Sequence, residues 1–114
     1  MPKVTYTEAK GLVQATGAGF NINSITTVTA TGNLDATTFL TIADNSFTNN
    51  NELTLPASAD TGAIKIIISD TANNVKILGD NATTATADTT LTNIGDFAIC
   101  IYNGTEWVVG RSLT

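Results

Sequence analysis

The sequence contains no histidine, and this absence removes much of the chemistry that a small enzyme domain would use. Histidine is the usual general base near neutral pH and the commonest metal ligand. Without it, Ser-His-Asp and Cys-His nucleophile systems are excluded, together with most zinc sites. No segment matches a calcium-binding loop, a phosphate-binding loop or a dinucleotide-binding loop. We therefore predict that the chain is not an enzyme, has no catalytic or metal-binding residues and needs no cofactor.

Cysteine occurs once, as Cys100, inside an apolar run. A single cysteine cannot form an intrachain disulfide, so we expect a buried thiol that packs as a small hydrophobic side chain. The first residues lack the pattern of a signal peptide, and no window approaches the roughly 18 apolar residues of a membrane helix. We predict no contact with a membrane.

Charged residues are also scarce, at 13% of the chain, and the formal net charge is −5. The five basic residues are scattered instead of clustered: Lys3, Lys10, Lys65, Lys76 and Arg111. Binding to nucleic acid depends on a basic face, so no nucleic-acid partner is predicted. Few charges together with mild hydropathy favour a surface that other chains partly cover, and a monomer with a Thr- and Asn-rich exterior is the alternative.

Most acidic residues fall in predicted turns, where aspartate accepts hydrogen bonds from the nearby backbone and tolerates unusual dihedral angles. A pair of catalytic carboxylates is the competing interpretation. We prefer the turn role because it explains the positions of these residues without any chemistry.

Strand signals recur about every ten residues after residue 24, and turn residues separate them. The predicted strands are Ile25–Ala30, Thr38–Ile42, Glu52–Leu55, Ala63–Ser69, Val75–Leu78, Thr89–Thr92, Asp96–Tyr102 and Trp107–Gly110. No amphipathic helix of about ten or more residues interrupts them. This pattern predicts an all-β fold, a small antiparallel β-sandwich or barrel of about seven to eight short strands.

Residues 1–24 differ from the rest and are predicted to form an extended N-terminal arm, with the β domain spanning residues 25–114. A short helix over Thr7–Val13 fits the pattern, although Gly11 weakens it. We expect Phe20 and Ile22 to anchor the arm to the domain.

Two of the predicted strands carry apolar residues on both faces. Alternation places Phe97, Ile99 and Ile101 opposite Ala98, Cys100 and Tyr102, and it places Ile64, Ile66 and Ile68 opposite Ala63, Lys65 and Ile67. A strand that is covered on both sides reads as a near-continuous hydrophobic run. The second cover is then the arm or a neighbouring subunit, and a central sandwich strand with a modestly apolar outer face fits equally well.

Aromatic residues lie close together in sequence at Phe97, Tyr102 and Trp107. Such residues can form a stacking platform for sugars or bases. More often they fill a core or join the strands of a hairpin, and we prefer that role here.

Residues 52–110 resemble a module of tailed-phage virion proteins, which include head decoration proteins and fibre or spike domains. The shared elements are Leu53-Thr54-Leu55-Pro56, the strand from Gly62 to Ser69, Val75 to Leu78, Gly95-Asp96, Phe97 to Tyr102, Asn103-Gly104 and Trp107-Val108-Val109-Gly110. The opening Lys10-Gly11-Leu12-Val13-Gln14, with Gly17-Ala18-Gly19-Phe20, also looks like the start of some small phage structural proteins.

The resemblance implies a viral structural protein, made in the host cytoplasm, that decorates and stabilises a phage capsid as a homotrimer on the virion surface. It implies contact with the major capsid protein or another virion protein through the arm, by Lys3, Tyr6, Lys10, Leu12, Val13 and Phe20. The residues expected at oligomer or core contacts are Ile66, Ile68, Phe97, Ile99, Tyr102 and Trp107. The alternative is a receptor-binding tip or accessory domain of a tail fibre, in which Trp107, Tyr102 or the Thr/Asn-rich loops would contact glycans.

Overall fold

The computed structural model describes residues 4–7, 11–14, 24–48, 51–79 and 89–112, and every regular element in them is a β-strand. The all-β prediction is therefore confirmed. The strands are β1 Val4–Thr7, β2 Gly11–Gln14, β3 Ile25–Val28, β4 Gly32–Asn33, β5 Leu40–Ala43, β6 Glu52–Thr54, β7 Ile64–Ser69, β8 Val75–Leu78, β9 Thr89–Leu91, β10 Phe97–Tyr102 and β11 Trp107–Arg111.

The first two strands form an antiparallel pair in which Thr7 lies opposite Gly11. The helix considered over Thr7–Val13 is therefore wrong, because that range contains the end of β1 and most of β2. The local sequence explains the outcome, since β-branched residues such as Val4 and Thr5 favour extended backbone and Gly11 disfavours a helix.

The other nine described strands form two sheets. One has five strands in the order β11-β10-β7-β5-β3, and the other has four in the order β4-β6-β8-β9. Strands β3, β5 and β7 are parallel to one another, and so are β4, β6 and β8. Strands β9, β10 and β11 add antiparallel pairs. The expected purely antiparallel architecture is wrong, since both sheets are mixed, and they do not close into a barrel.

Between β3 and β8 the chain alternates from one sheet to the other with each new strand. Every coil therefore contributes one strand to each sheet, which is the path of a short parallel β-solenoid with three coils. Strands β9 to β11 then turn back and end the stack with antiparallel pairs. Turn residues at ten-residue spacing mark the corners of coils here, whereas in a sandwich they would mark hairpins.

The core lies between the two sheets and follows the alternation of each strand. Its largest apolar members are fully or almost fully buried: Phe47, Leu53, Leu55, Ile67, Ile77, Leu91, Tyr102 and Trp107. The rings of Tyr102 and Trp107 lie 5.4 Å apart in a tilted arrangement. Cys100 is buried in the same core, as the sequence predicts.

Acidic and amide side chains hold the corners of the fold. Asp35 accepts a hydrogen bond from the backbone N–H of Thr37 at 2.7 Å, and Asp44 accepts one from that of Ser46 at 2.8 Å. Buried Asp96 accepts two backbone hydrogen bonds, each 3.0 Å, from the loop before β10. The turn role predicted for the acidic residues is thus confirmed at these three aspartates.

Candidate interaction surface

The outer face of the five-stranded sheet, which we call the apolar face, is composed almost entirely of hydrophobic side chains. The alternation of each strand places one set of residues on it: Ile25 and Thr27 of β3, Leu40 and Ile42 of β5, Ile64, Ile66 and Ile68 of β7, Phe97, Ile99 and Ile101 of β10, and Val108 and Gly110 of β11. None of these twelve residues is charged, and Thr27 is the single one with a polar side chain.

Strand register aligns these side chains into three continuous rows across the sheet. The first row crosses all five strands through Ile25, Leu40, Ile66, Ile99 and Gly110. The second row contains Thr27, Ile42, Ile68 and Phe97, and the third contains Ile64, Ile101 and Val108. Because neighbours in a row lie about 5 Å apart, the face is one uninterrupted hydrophobic surface.

Much of this surface is accessible in the single chain. Ile25 is 51% exposed, Ile64 is 45% exposed and Val108 is 53% exposed. The five strands have four, four, six, six and five residues. At about 3.3 Å per residue and about 4.8 Å between strands, they give a flat area of roughly 400 Å². The largest apolar patch on a soluble monomer typically covers about 300–600 Å² and is often a functional surface.

The outer face of the four-stranded sheet has the opposite character. Glu52 and Lys76 lie side by side on β6 and β8 and form an ion pair with a 3.6 Å separation. Thr90 continues the same row, and the next row places Thr54 between Asn33 and Leu78. One side of the domain is therefore suited to water, while the other has no charged group to hold water.

The sequence-predicted contact residues divide between this surface and the core. Ile66, Ile68, Phe97 and Ile99 lie on the apolar face, with Phe97 43% exposed and Ile99 40% exposed. Tyr102 and Trp107 point to the opposite side of the same sheet, where they are buried. Because both side chains are buried, neither presents an open ring face for stacking a sugar or a base.

The residues predicted for the arm are described only in part. Tyr6 lies opposite Leu12 in the β1–β2 pair, and Val13 lies opposite Thr5. Lys3, Lys10 and Phe20 lie outside the described residues, so the contact predicted for the arm stays a prediction.

A buried lysine is the main feature that the sequence did not indicate. Lys65 of β7 points into the core with no exposed surface, and its ammonium group donates a hydrogen bond to the carbonyl oxygen of Thr38. Desolvation lowers the pKa of Lys65, while Asp35 and Cys100 act in the opposite direction. Its position in the inward set of β7 was visible in the alternation, but a long basic side chain ordinarily extends to solvent.

Cys100 lies directly opposite Lys65 on the neighbouring strand β10. Burial raises the pKa of its thiol to about 12, an effect that Lys65 partly offsets. A thiol with this pKa is protonated at neutral pH and is a poor nucleophile or metal ligand. Lys65 and Cys100 therefore pack side by side within the core.

A small cavity lies at the end of β6, lined by Asn33, Thr54, Leu55, Pro56 and Ala57. Its volume of about 200 Å³ is below the range of about 300–1,000 Å³ that is usual for small-molecule sites. No group of three or more metal-ligating side chains lies together in the described part of the chain. Within the same residues there is no helix with the length and hydrophobicity to cross a membrane. The apolar face is the strongest candidate for a functional surface.

Comparison with known proteins gives a likeness of fold. No protein-family model and no curated protein sequence matches the chain. A solved structure described as "Structure of a chaperone-substrate complex" contains a chain similar to this one, with a TM-score of 0.52 and 17% sequence identity. The similarity covers 77% of this chain and 14% of the other chain, so this chain matches a small part of a much longer protein.

Proposed function

We propose that this protein is a non-enzymatic structural component of a phage virion that decorates and stabilises the capsid as a homotrimer. The apolar face is the observation that carries the proposal, because a hydrophobic sheet surface without charge suits permanent contact between protein chains. The viral setting and the trimer come from the resemblance of residues 52–110 to virion modules.

In this role the protein acts through buried surface. An interface of about 1,600 Å², repeated over a capsid shell, holds neighbouring subunits together without any chemical step. The segment before β3 supplies the contact with the major capsid protein or another virion protein, by ordering on its surface or by adding a strand to a sheet edge. The net charge of −5 keeps free copies soluble before they assemble.

A receptor-binding tip or accessory domain of a tail fibre is the second candidate, and the coil path of the chain favours it. A parallel solenoid lengthens by stacking more coils on its open edge, which is the geometry of a shaft. Burial of Tyr102 and Trp107 leaves the Thr/Asn-rich loops as the surface that would contact glycans in this role.

Copy number in purified virions tests the proposal. Quantitative mass spectrometry of virions is expected to find the chain at a number of copies comparable to that of the major capsid protein. Lysine crosslinking is expected to join Lys3 or Lys10 to that protein. A few copies per particle, crosslinked to tail proteins and accompanied by binding on a glycan array, would overturn capsid decoration in favour of the fibre.

A further inference from the structure

We infer that the apolar face is the self-association surface, and that three copies of the chain turn this face toward a common threefold axis. The inference rests on the part of the proposed function that makes the protein a homo-oligomer. It does not depend on where in a virion the oligomer lies.

The chemistry of the face favours a copy of the same chain over a different partner. A separate acidic or basic partner would be matched by charges of the opposite sign, and this face has none among its twelve residues. An acidic chain with a net charge of −5 also repels its own copies wherever their charges meet. Contact through the uncharged face avoids that repulsion and removes the exposed Ile and Phe side chains from water.

The area of the face suits an assembly of three. Three faces of roughly 400 Å² each give about 1,200 Å² of flat area shared among three contacts, which equals the lower end of the range of about 1,200–2,000 Å² for one specific interface. Corrugation by side chains makes the accessible area larger than this flat value. When the other two copies cover the face from β3 to β11, none of its hydrophobic side chains remains in contact with water.

The distribution of side-chain size across the sheet favours threefold over twofold packing. Three sheets about 24 Å wide that enclose an axis form a triangular prism, in which the middle strand lies about 7 Å from the axis and the edge strands lie at the corners. The middle strand β7 presents Ile64, Ile66 and Ile68. The edge strands present smaller residues at Thr27, Val108 and Gly110, with Ile25 as the single large exception. A dimer of two flat sheets stacked about 10 Å apart would not require side chains to become smaller from the middle strand to the edge strands.

Mass in solution tests this inference on the purified full chain. Light scattering coupled to size-exclusion chromatography is expected to give about 35 kDa, which is three times the chain mass of 11.8 kDa. Ile66→Lys places a charge at the centre of the face and is expected to give a monomer. The matched control is Thr54→Lys, since Thr54 points outward from a central strand of the other sheet and is expected to remain trimeric.

A second experiment does not require the fold to accept a lysine at position 66. Because β7 lies about 7 Å from the proposed axis, the Cα atoms of residue 66 in two copies are about 12 Å apart, which is too far for a direct disulfide. A bifunctional thiol reagent with a spacer of about 8 Å is therefore expected to link pairs of Ile66→Cys chains, whereas Thr54→Cys is expected to give no linked pairs. A dimeric mass would overturn the threefold arrangement, and a monomeric mass for the unmodified chain would overturn self-association. A trimer that is absent from virions refutes capsid decoration and leaves this inference standing. A monomer that still occupies capsids refutes this inference together with the proposed homotrimer, and leaves capsid decoration standing.

Discussion

Trp107 donates a hydrogen bond from its indole Nε1 to the carbonyl oxygen of Pro56, at 2.8 Å and across 51 positions of sequence. Pro56 follows the end of β6 in the four-stranded sheet, and Trp107 begins β11 in the five-stranded sheet. The bond therefore joins the two sheets at one end of the core, where the Trp107 ring also packs against Tyr102.

Replacement of Trp107 by phenylalanine is expected to destabilise the fold by about 1–3 kcal/mol. The variant keeps an aromatic ring but removes the indole donor and leaves a small gap, and both changes lower stability. Urea unfolding followed by circular dichroism measures the effect. Ser58→Ala is the control, because Ser58 is exposed in the loop that follows Pro56 and lies on neither sheet. Equal midpoints for the wild type and Trp107→Phe would show that the hydrogen bond contributes nothing.

Gly104 is expected to be intolerant of a side chain. Its φ angle is +101°, and a Cβ atom there would lie 2.9 Å from the Thr61 Oγ1 atom. Gly104→Ala is therefore expected to cost about 1–3 kcal/mol in the free energy of unfolding. Gly79→Ala is the control, since Gly79 has no positive φ and a Cβ atom there would meet no heavy atom within 4 Å, and its cost is expected to stay within about 0.5 kcal/mol. Thermal melts of the two variants make the comparison, and equal melting temperatures would contradict it.

Most strand positions and faces in the body of the chain were predictable from the sequence. Val75–Leu78 matches its predicted bounds, and Ala63–Ser69 and Asp96–Tyr102 each differ from the observed strand by one residue. The alternation in β7 and β10 also separated the two faces correctly, because side chains alternate with a period of two in any strand. The sequence therefore identified the residues of the candidate surface on these two strands.

Strand pairing was not predictable from the same signals. A turn such as Asp44-Asn45 ends a strand in the same way whether the chain folds back as a hairpin or passes to the other sheet. The β5 strand pairs with β3 and β7 in parallel, and those partners lie 15 and 26 residues away along the chain. The buried position of Lys65 was also not predictable from the sequence. A lysine side chain is expected to extend to solvent, and only the coil geometry places the carbonyl oxygen of Thr38 within reach of its ammonium group.

Cys100 is expected to react with thiol reagents only when the protein unfolds. Its pKa is raised from 9.0 to about 12, which lowers the thiolate fraction near neutral pH by roughly 1,000-fold, and burial blocks access as well. Reaction with a chromogenic disulfide reagent at about pH 8 is expected to be negligible in buffer and fast in denaturing urea. Fast, stoichiometric labelling of the native protein would contradict the buried placement.

The same shift makes stability dependent on alkaline pH. The pKa of Cys100 is raised in the folded state, so folding favours the protonated thiol. This contribution to the free energy of unfolding is fully present below pH 9.0 and is lost as pH rises toward about 12. Between about pH 8 and pH 10.5, the wild type is expected to lose more stability than Cys100→Ala in urea unfolding. The alanine variant is the less stable of the two at the lower pH, since it leaves a small gap in the core. A pH dependence that is identical in both proteins would show that the thiol does not titrate differently on folding.

Lys65 is expected to have the opposite effect on the pH dependence of stability at alkaline pH. Its pKa is lowered in the folded state by desolvation, so the fold disfavours the charged amine. Below the folded-state pKa of Lys65, burial of the charged amine lowers the free energy of unfolding by its full amount. As pH rises from that value toward 10.5, the folded protein loses this proton before the unfolded chain does, so the free energy of unfolding increases. Lys65→Met keeps the length of the apolar stem and removes the titrating group. The stability of the wild type relative to Lys65→Met is therefore expected to increase with pH up to about 10.5, as measured by urea unfolding at several pH values.

The comparison of these two proteins separates the effect of Lys65 from that of Cys100. Because both proteins contain the Cys100 thiol, its contribution to the pH dependence cancels to first order in the difference between their free energies of unfolding. A difference that stays constant with pH would contradict a lowered pKa, and one that falls with pH would mean that the hydrogen bond to Thr38 stabilises the ammonium group more than burial disfavours it.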